Sequence, residues 1–288
     1  MENRRHVSFS EVTTFWRCPY KWYLRSVQRL VPTKYRSAPS FGSAFAELSR
    51  RYYAEWPRRP EIDAWGVVQE YGLDSELAYT LVGLWKEYDK WSRRNEHWDE
   101  CLTEVPIELP LDDLGLVGWD FRCRLDTLAR LGTTWHVRDT KTTKQVNTGR
   151  LDLDPQTVMA YPWAVYKALG IEVEVASTLF VRRQDPRTAR TPVIIPDNSF
   201  GIQVATGPQA WSLWENQLVE TVRAMEVLLK RKEADPAYHP LAVYNANQMG
   251  CVTDCQDFHS ICQAEVHNRF GATAVIEEEY ENANARTG

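Results

Sequence analysis

Apolar positions along the chain recur with two different periods, which predicts both helices and strands. Between Leu77 and Tyr88 they recur every three or four residues, the spacing that buries one face of a helix. From Phe121 to Lys144, apolar and β-branched residues alternate with polar ones around Gly132. Helices are predicted over 8–30, 41–56, 61–94, 155–169 and 211–232. Strands are predicted over 102–109, 116–121, 121–131, 133–144, 172–183 and 191–195.

Caps and breaks refine the helices in the first third of the chain. Ser8 or Ser10 can cap the first helix, and the Cys18-Pro19 pair interrupts it. The segment 72–75 divides the helices of residues 61–94, because its polar residues cap a new helix. This part of the chain is therefore expected to be mainly helical.

The predicted hairpin of residues 121–144 carries the most suggestive chemistry. Asp139 and Lys141 are two residues apart on a strand and therefore share one face. If the two strands pair antiparallel, Asp126 comes beside them. Two carboxylates and one ammonium then converge on one point. By contrast, Glu104 and Glu108 on the strand before the hairpin are interpreted as edge or surface charges rather than ligands.

Such a trio suits metal-assisted hydrolysis of a phosphodiester. Magnesium and manganese prefer carboxylate oxygens, with the substrate phosphate completing the coordination shell. A lysine beside the cation can orient water and balance the charge that develops on the phosphate. The alternative is an exposed hairpin with a surface Asp-Lys pair, which is the commoner meaning of an isolated D-x-K.

Length, composition and charge limit the remaining choices. A chain of 288 residues that is 43% hydrophobic can bury a large core, and we expect one domain. The net charge is -5, yet residues 1–36 carry eight Lys or Arg against two Glu, a net of +6. No apolar stretch is long enough for a membrane span or a secretory signal, so we expect a cytoplasmic protein with no membrane partner.

Four of the six cysteines suggest a metal or cluster site. Cys251, Cys255 and Cys262 lie close together, and Cys18, in its own Cys-Pro break, is the natural fourth ligand. Thiolates in a reducing compartment select zinc or an iron-sulfur cluster rather than forming disulfides. If the metal is zinc, His259 could be a ligand instead.

The hairpin and the helix after it resemble a known family. LDTLARLGTTWHVRDTKTTK followed by DPQTVMAYPWAVYKALG is similar to motifs II, III and IV of the PD-(D/E)xK nuclease superfamily, in its RecB-like branch. Asp126 matches the acid of motif II, and Asp139 and Lys141 match motif III. Gln156 and Tyr161 resemble the Gln and Tyr of motif IV. Because they are five positions apart, one more than in the family, their sides of an α-helix differ somewhat, and Gln156 is the stronger candidate.

Motif I of the family departs from its usual form here. The family usually has a metal-binding His four residues after a Gly, and counting from Gly42 that position is Ala46. Glu47 is the next residue and is the candidate replacement ligand, although an acid on the helix surface explains it equally well.

The four cysteines extend the resemblance to RecB-like nucleases with an iron-sulfur cluster. The CPY segment at Cys18, with three cysteines near the other end, is similar to the AddB nuclease domain and the CRISPR-associated RecB-like exonucleases. The resemblance implies a 4Fe-4S cluster on Cys18, Cys251, Cys255 and Cys262. The last three cysteines are one residue farther apart in each gap than in the family, so zinc remains the alternative.

The resemblance implies both a fold and a domain plan. The fold is α/β, with a restriction-endonuclease-like core: a mixed central sheet flanked by helices, preceded by a helical part. One RecB-like nuclease domain is expected over residues 1–275, with a helical part at 8–98 and the nuclease core at 100–235. The cluster, on Cys18 and residues 245–265, would staple the two ends together. Residues 276–288 are expected to be a disordered tail.

The implied activity is a metal-dependent DNA exonuclease using magnesium or manganese. Its substrate would be single-stranded DNA or DNA ends, and its partners recombination or CRISPR-type proteins. Recombination, repair, DNA processing and phage DNA metabolism all use such enzymes. The missing motif I histidine supports an alternative, a catalytically weak or inactive DNA-binding scaffold within a larger complex.

Basic and aromatic residues on two segments are the candidate DNA contacts. Arg17 and Lys21 begin a cationic helix stripe beside aromatic residues, the combination that binds single strands, although a solvated helix face explains it equally well. Arg182 and Arg183 begin a hairpin turn with a net charge of +3, which can hold a phosphate backbone or simply be solvent-exposed. Tyr161 is the fifth candidate.

Overall fold

The computed structural model describes residues 4–30, 39–143, 156–196, 202–203, 207–236 and 238. Its helices are α1 (Phe9–Arg17), α2 (Pro19–Trp22), α3 (Pro39–Tyr53), α4 (Ala64–Glu70), α5 (Ser75–Asn95), α6 (Tyr161–Leu169) and α7 (Pro208–Ala234). Its strands are β1 (Arg5–Val7), β2 (Glu100–Pro110), β3 (Trp119–Leu131), β4 (Thr134–Thr143), β5 (Val173–Arg182), β6 (Ile194–Pro196) and β7 (Ile202–Gln203). Within these residues, none of the helices is long and apolar enough to cross a membrane.

The predicted helix breaks are confirmed, and each has a local cause. Cys18 ends the first helical stretch and caps α2, because its Sγ accepts a hydrogen bond from the Lys21 amide at 3.4 Å. Asp74 caps α5 in the same way, with Oδ1 accepting from the Leu77 amide at 2.9 Å. The side chain at each break therefore satisfies an amide that the new helix leaves unpaired.

A mixed sheet forms the centre of the structure. Strand β2 pairs antiparallel with β3 from Pro110–Asp120 to Glu100–Arg130. The beginning of β3 also pairs with β1 in parallel, and its end pairs antiparallel with β4. Strand β5 pairs in parallel with β4 and antiparallel with β6 and β7. The predicted mixed central sheet of a restriction-endonuclease-like fold is confirmed.

The predicted β3–β4 hairpin is also confirmed. Gly132 has a φ of +62°, a conformation that favours glycine, and it turns the chain between Leu131 and Thr134. One difference concerns the preceding segment, since the strands predicted over 116–121 and 121–131 are one strand, β3. Because it is 13 residues long, this strand can pair with three neighbours.

Helices α3, α4 and α5 pack together against the sheet. Leu81, Leu84, Trp85 and Tyr88 are buried on α5, as its apolar period predicts. They belong to the same hydrophobic cluster as residues of β2, β3, β5 and β6. A second apolar group includes Trp163 of α6, Phe121 and Trp214. The rings of Trp163 and Phe121 pack edge-on, with their centroids 5.3 Å apart. The central sheet is thus flanked by helices.

The chain divides into two compact units. The first comprises residues 1–9 and 37–219, and it contains the sheet, α3 to α6 and the beginning of α7. The second comprises residues 10–36 and 220–288. Within the second unit, the Trp16 indole donates a hydrogen bond to the Thr221 hydroxyl at 2.8 Å, which joins α1 to the middle of α7.

Candidate active site

Asp126 lies one residue beyond the last residue of β3 that pairs with β4 through the backbone. The backbone ladder of the two strands runs to the Thr127–Arg138 pair, and Asp126 and Asp139 are the next positions in the same register. The Asp126 carboxylate accepts a hydrogen bond from the Thr140 amide at 2.7 Å. The hydrogen bond between the Asp126 side chain and the Thr140 amide therefore continues the contact between the two strands. It holds the Asp126 carboxylate beside β4, the strand that carries Asp139.

Lys141 lies close to both carboxylates. Its Nζ is 2.8 Å from the Asp139 Oδ2, and it faces Asp126 closely enough to lower that carboxyl's pKa. The Asp139 side chain is buried, whereas 42% of the Lys141 side chain is exposed. The hairpin thus brings together the three side chains that the sequence selected, with the ammonium at the solvent side.

Opposing influences act on the Asp126 carboxyl. Burial raises its pKa above the ordinary value of 3.8, and the nearby Glu104 carboxylate raises it further. The Thr140 amide and the positive charges of Lys141 and Arg138 act in the other direction. The net pKa is raised, so ionised Asp126 lacks part of the stabilisation that water would give it. A divalent cation at this point would supply it.

A cavity of about 250 Å³ gives access to the carboxylate. It lies between α3 and strands β2, β3 and β4, and Gly42, Glu104, Asp126 and Lys141 are among its lining residues. Gly42 allows the close approach of α3, since a Cβ there would lie 3.1 Å from the Thr142 hydroxyl oxygen. The Gly of motif I therefore has a structural reason to be a glycine.

A buried ion pair lies beneath this cavity. The Arg138 guanidinium donates a hydrogen bond to the Glu96 carboxylate, which also accepts from the hydroxyls of Tyr53 and Ser92. Tyr53 and Tyr88 line the cavity, and their hydroxyl oxygens are 2.8 Å apart. Burial alone would lower the pKa of Arg138, but the Glu96 carboxylate, together with Tyr88, Tyr53 and Cys101, outweighs it, and the pKa is raised. This pair fixes the position of Arg138, which lies between Val137 and Asp139 on β4.

Motif I offers no histidine, and its replacement candidate is engaged elsewhere. The Glu47 oxygens accept hydrogen bonds from Arg50 at 2.6 and 2.7 Å and from Arg51 at 2.7 Å. The Arg50 guanidinium is the main reason that the pKa of Glu47 falls to about 2. Glu47 lines a depression that Asp126 and Glu104 also line. Both of its oxygens would have to leave an arginine before they could bind a cation.

Glu104, predicted to be an edge or surface charge, lies on a strand that pairs with β3 alone among the described residues, but it is partly buried. Its side chain is only 21% exposed and lines the same cavity as Asp126. The residue has a φ of +52°, an uncommon conformation for a residue with a side chain. No local sequence signal selects Glu104, because its importance comes from the long-range pairing of β2 with β3.

Gln156 and Tyr161 are joined by a hydrogen bond from the Gln156 amide to the tyrosine hydroxyl. An α-helix would turn the two residues to somewhat different sides, but residues 156–160 form a π-helical turn. Its i→i+5 hydrogen bonds widen the turn and bring residues five apart closer to one side. Tyr161 is buried, so it contacts Gln156 rather than solvent.

Arg182 is the last residue of β5, which pairs with β4, and Arg183 follows it. The Arg183 amide donates a hydrogen bond to the Thr143 carbonyl at 2.6 Å, two residues beyond Lys141. The Arg183 guanidinium lies 5.8 Å from the ring centroid of Phe41, next to Gly42. The other two basic candidates, Arg17 and Lys21, belong to the second unit.

Of the four cysteines predicted to bind a metal or cluster, the structure describes Cys18. Cys18 is buried at the beginning of α2, and its Sγ accepts the Lys21 amide. Cys251, Cys255 and Cys262 lie outside the described residues, as does His259. The ligand set therefore stays a prediction.

Another cluster, away from the hairpin, has the spacing of a metal site. In the described part of the chain, His6, Glu108 and Asp120 are the one group of three such side chains whose ligand atoms lie within 4.8 Å of one another. Arg4 contacts the Asp120 carboxylate at 2.5 Å, and Arg122 contacts Glu108 at 2.6 Å. Both acids thus already have a cationic partner.

A mixed sheet flanked by helices, with an Asp and an Asp-x-Lys on adjacent strands, defines the class of restriction-endonuclease-like nucleases. A family model described as the PD-(D/E)XK nuclease superfamily matches residues 6–263. The chain belongs to this superfamily, which indicates a metal-dependent nuclease acting on DNA with magnesium or manganese.

Solved structures add two distant likenesses. One, titled "Crystal structure of SSO0001", is 14% identical, with a TM-score of 0.36, over 79% of this chain and 78% of that one. The protein VC1899 from Vibrio cholerae is 10% identical, with a TM-score of 0.23, over 62% of this chain and 49% of that one. A comparison with curated proteins gives no match.

Proposed function

We propose that this protein is a metal-dependent DNA exonuclease that degrades single-stranded DNA or DNA from its ends. The observation that carries the proposal is the meeting of Asp126, Asp139 and Lys141 on one hairpin, beside a cavity that Asp126 and Lys141 line, in a chain of the PD-(D/E)XK superfamily. Recombination, repair or DNA processing is the proposed setting, and recombination or CRISPR-type proteins are the proposed partners.

The donor set fits a hard divalent cation. Asp126 and Asp139 offer only carboxylate oxygens, which magnesium and manganese prefer, and the buried Asp126 benefits from a compensating charge. When bound, the cation would polarise the phosphate and help to activate water. Glu47 stays a candidate ligand from the resemblance, at the cost of releasing Arg50 and Arg51.

The protein's own groups have distinct proposed roles. Lys141, half-exposed at the cavity, would orient the attacking water and balance the growing charge on the phosphate. Gln156 would hold a phosphate oxygen or a water. Tyr161 would act through Gln156, whose amide it fixes.

Basic residues are the proposed DNA contacts. Arg182 and Arg183 lie at the end of β5, beside the strand that carries Lys141, where they could hold phosphates on either side of the cleaved bond. Arg17 and Lys21 would track the strand elsewhere through charge and neighbouring aromatic rings.

We further propose a 4Fe-4S cluster on Cys18, Cys251, Cys255 and Cys262, with zinc as the alternative. Cys18 is buried at the break between α1 and α2, and soft thiolate ligands select an iron-sulfur cluster or zinc. Anaerobically purified protein is expected to be brown and to contain about four irons per chain. A colourless protein containing stoichiometric zinc would exclude the cluster.

The exonuclease mode is tested on linear and circular single strands of the same length and sequence. With manganese, the full chain should shorten the linear strand from an end and leave the circle intact. Cutting of the circle would make the protein an endonuclease. A wild type that binds both substrates but cuts neither, with its metal centres loaded, would support the DNA-binding scaffold instead.

A further inference from the structure

We propose that Glu104, on strand β2, is the third carboxylate of the cation site and takes the place of the absent motif I histidine. This inference rests on the proposed nuclease function. It assigns the missing ligand to a strand of the sheet rather than to helix α3.

Strand register places Glu104 next to the catalytic acids. Thr103 pairs with Thr127 and Val105 pairs with Leu125, so Glu104 lies opposite Asp126. Asp126 in turn lies opposite Asp139 in the register of β3 and β4. Three acids therefore occupy one row across three adjacent strands, and Lys141 is two residues from the end of that row.

The side chain of Glu104 points to the same space as that of Asp126. Both line the 250 Å³ cavity at Lys141, and both line the larger depression of about 580 Å³ beside it. The negative charge of Glu104 also reaches Asp126 strongly enough to raise the pKa of its carboxyl. Two carboxylates in one half-buried cavity repel each other, and a shared divalent cation removes that repulsion.

Competing residues are less suitable. Ala46, at the histidine position, offers no donor atom. Glu47 binds Arg50 and Arg51 through both oxygens. Glu104 instead has a single ion pair among the described contacts, at 3.2 Å between its Oε2 and Arg124, whose side chain is 70% exposed. An exposed ion pair of this kind is weak and easily exchanged.

Binding a cation requires a small rearrangement of the row. The ligand oxygens of Glu104, Asp126 and Asp139 do not all lie within 4.8 Å of one another in the described structure, and Lys141 contacts the Asp139 carboxylate. Rotation of the Glu104 side chain away from Arg124 and withdrawal of the Lys141 ammonium would close the site. Both side chains are partly exposed, so these movements cost little packing.

The test measures manganese binding by calorimetry, alongside cleavage of single-stranded DNA. Glu104→Gln is compared with Glu100→Gln, because Glu100 is also on β2 and pairs with an arginine of β3, at 3.4 Å. We expect Glu104→Gln to weaken manganese binding roughly tenfold or more, and Glu100→Gln to leave it within about twofold. Glu104→Asp, which keeps the charge at a shorter reach, should lie between Glu104→Gln and the wild type and confirms that any loss is not misfolding.

The outcomes separate this inference from the proposed function. Wild-type protein that cuts DNA, with Glu104→Gln binding manganese as tightly as the wild type, overturns the role of Glu104 alone. So does a loss of binding in Glu47→Gln that Glu104→Gln does not share. Wild-type protein that neither binds manganese nor cuts DNA overturns the nuclease itself. The double variant Glu104→Gln/Asp126→Asn should lose less manganese-binding free energy than the sum of the two single losses, since both acids would hold one ion.

Discussion

The Asp126 carboxylate accepts a hydrogen bond from the Thr140 amide at 2.7 Å, so one of the two proposed catalytic acids is bonded directly to the strand that carries the other. Asp139 and Lys141 stand on either side of Thr140 in sequence. This one bond sets the position of the acid from β3 relative to the Asp-x-Lys of β4. It also leaves the second oxygen of Asp126 for another partner.

Asp126→Asn should abolish cleavage and yet stabilise the metal-free protein. The asparagine oxygen can still accept the Thr140 amide, while the buried charge and its repulsion with Glu104 disappear. Catalytic sites often trade stability for function in this way, and a gain of roughly 0.5–2 kcal/mol is expected at neutral pH. Urea unfolding with a chelator measures it; a loss of stability would contradict the account.

The same variant predicts a pH dependence. Because the pKa of Asp126 is raised above 3.8, the folded protein keeps a proton that the unfolded chain has released in the range above that value. Stability from this residue is therefore greatest at low pH and falls as pH rises through that range. The stability difference between Asp126→Asn and the wild type should grow with pH across it, measured without metal. A constant difference would show that the pKa is not raised.

The buried Arg138–Glu96 pair should behave as a unit. Replacing only Arg138 by Met, or only Glu96 by Leu, leaves a buried charge without its partner and should cost about 3–5 kcal/mol of unfolding free energy. The double variant Arg138→Met/Glu96→Leu should recover a large part of that loss. Denaturant unfolding of all four proteins checks it, and additive losses would mean that the two charges do not depend on each other.

Tyr161→Phe should lower the cleavage rate without unfolding the protein. The change removes the hydroxyl that fixes the Gln156 amide, and a hydrogen bond worth about 1 kcal/mol corresponds to roughly a fivefold slower reaction. Tyr166→Phe, on the exposed side of the same helix, is the control and should cleave at the wild-type rate. Equal rates for both variants would remove Tyr161 from the site.

Arg183→Gln should weaken DNA binding in a salt-dependent way. If Arg183 contacts one phosphate, its loss lowers the slope of log affinity against log salt by about 0.7 for a single strand. Arg58→Gln is a suitable control, because the Arg58 side chain is 81% exposed and lies on another segment. Fluorescence anisotropy at several salt concentrations gives both slopes; identical slopes would exclude the contact.

The local patterns of the sequence predicted the parts of the site that are close along the chain. The hairpin, its turn at Gly132 and the meeting of Asp126 with Asp139 and Lys141 all follow from strand alternation. The position of Glu104 could not be predicted in this way, because it depends on the register between β2 and β3, which alternation alone does not determine. Arg138 escaped it too, since a buried charge depends on Glu96, 42 residues away.

The helix after the hairpin shows a different limit. Five positions along an ordinary α-helix turn the side chains of Gln156 and Tyr161 to somewhat different sides of the helix. The π-helical turn of residues 156–160 aligns the two side chains, with Pro162 at the beginning of the helix that follows. Helix periodicity in a sequence does not distinguish such a turn from an α-helical one.

Manganese-dependent cleavage of an end-labelled single strand by four proteins tests the central claim most directly. Wild type and Asp113→Asn, an exposed control outside the cavity, should cut at the same rate. Asp139→Asn and Lys141→Met should each cut at least about a hundredfold more slowly, because the first loses a ligand of the cation and the second loses the ammonium that balances the developing charge. Cleavage by Asp139→Asn at the wild-type rate would contradict a catalytic site on this hairpin.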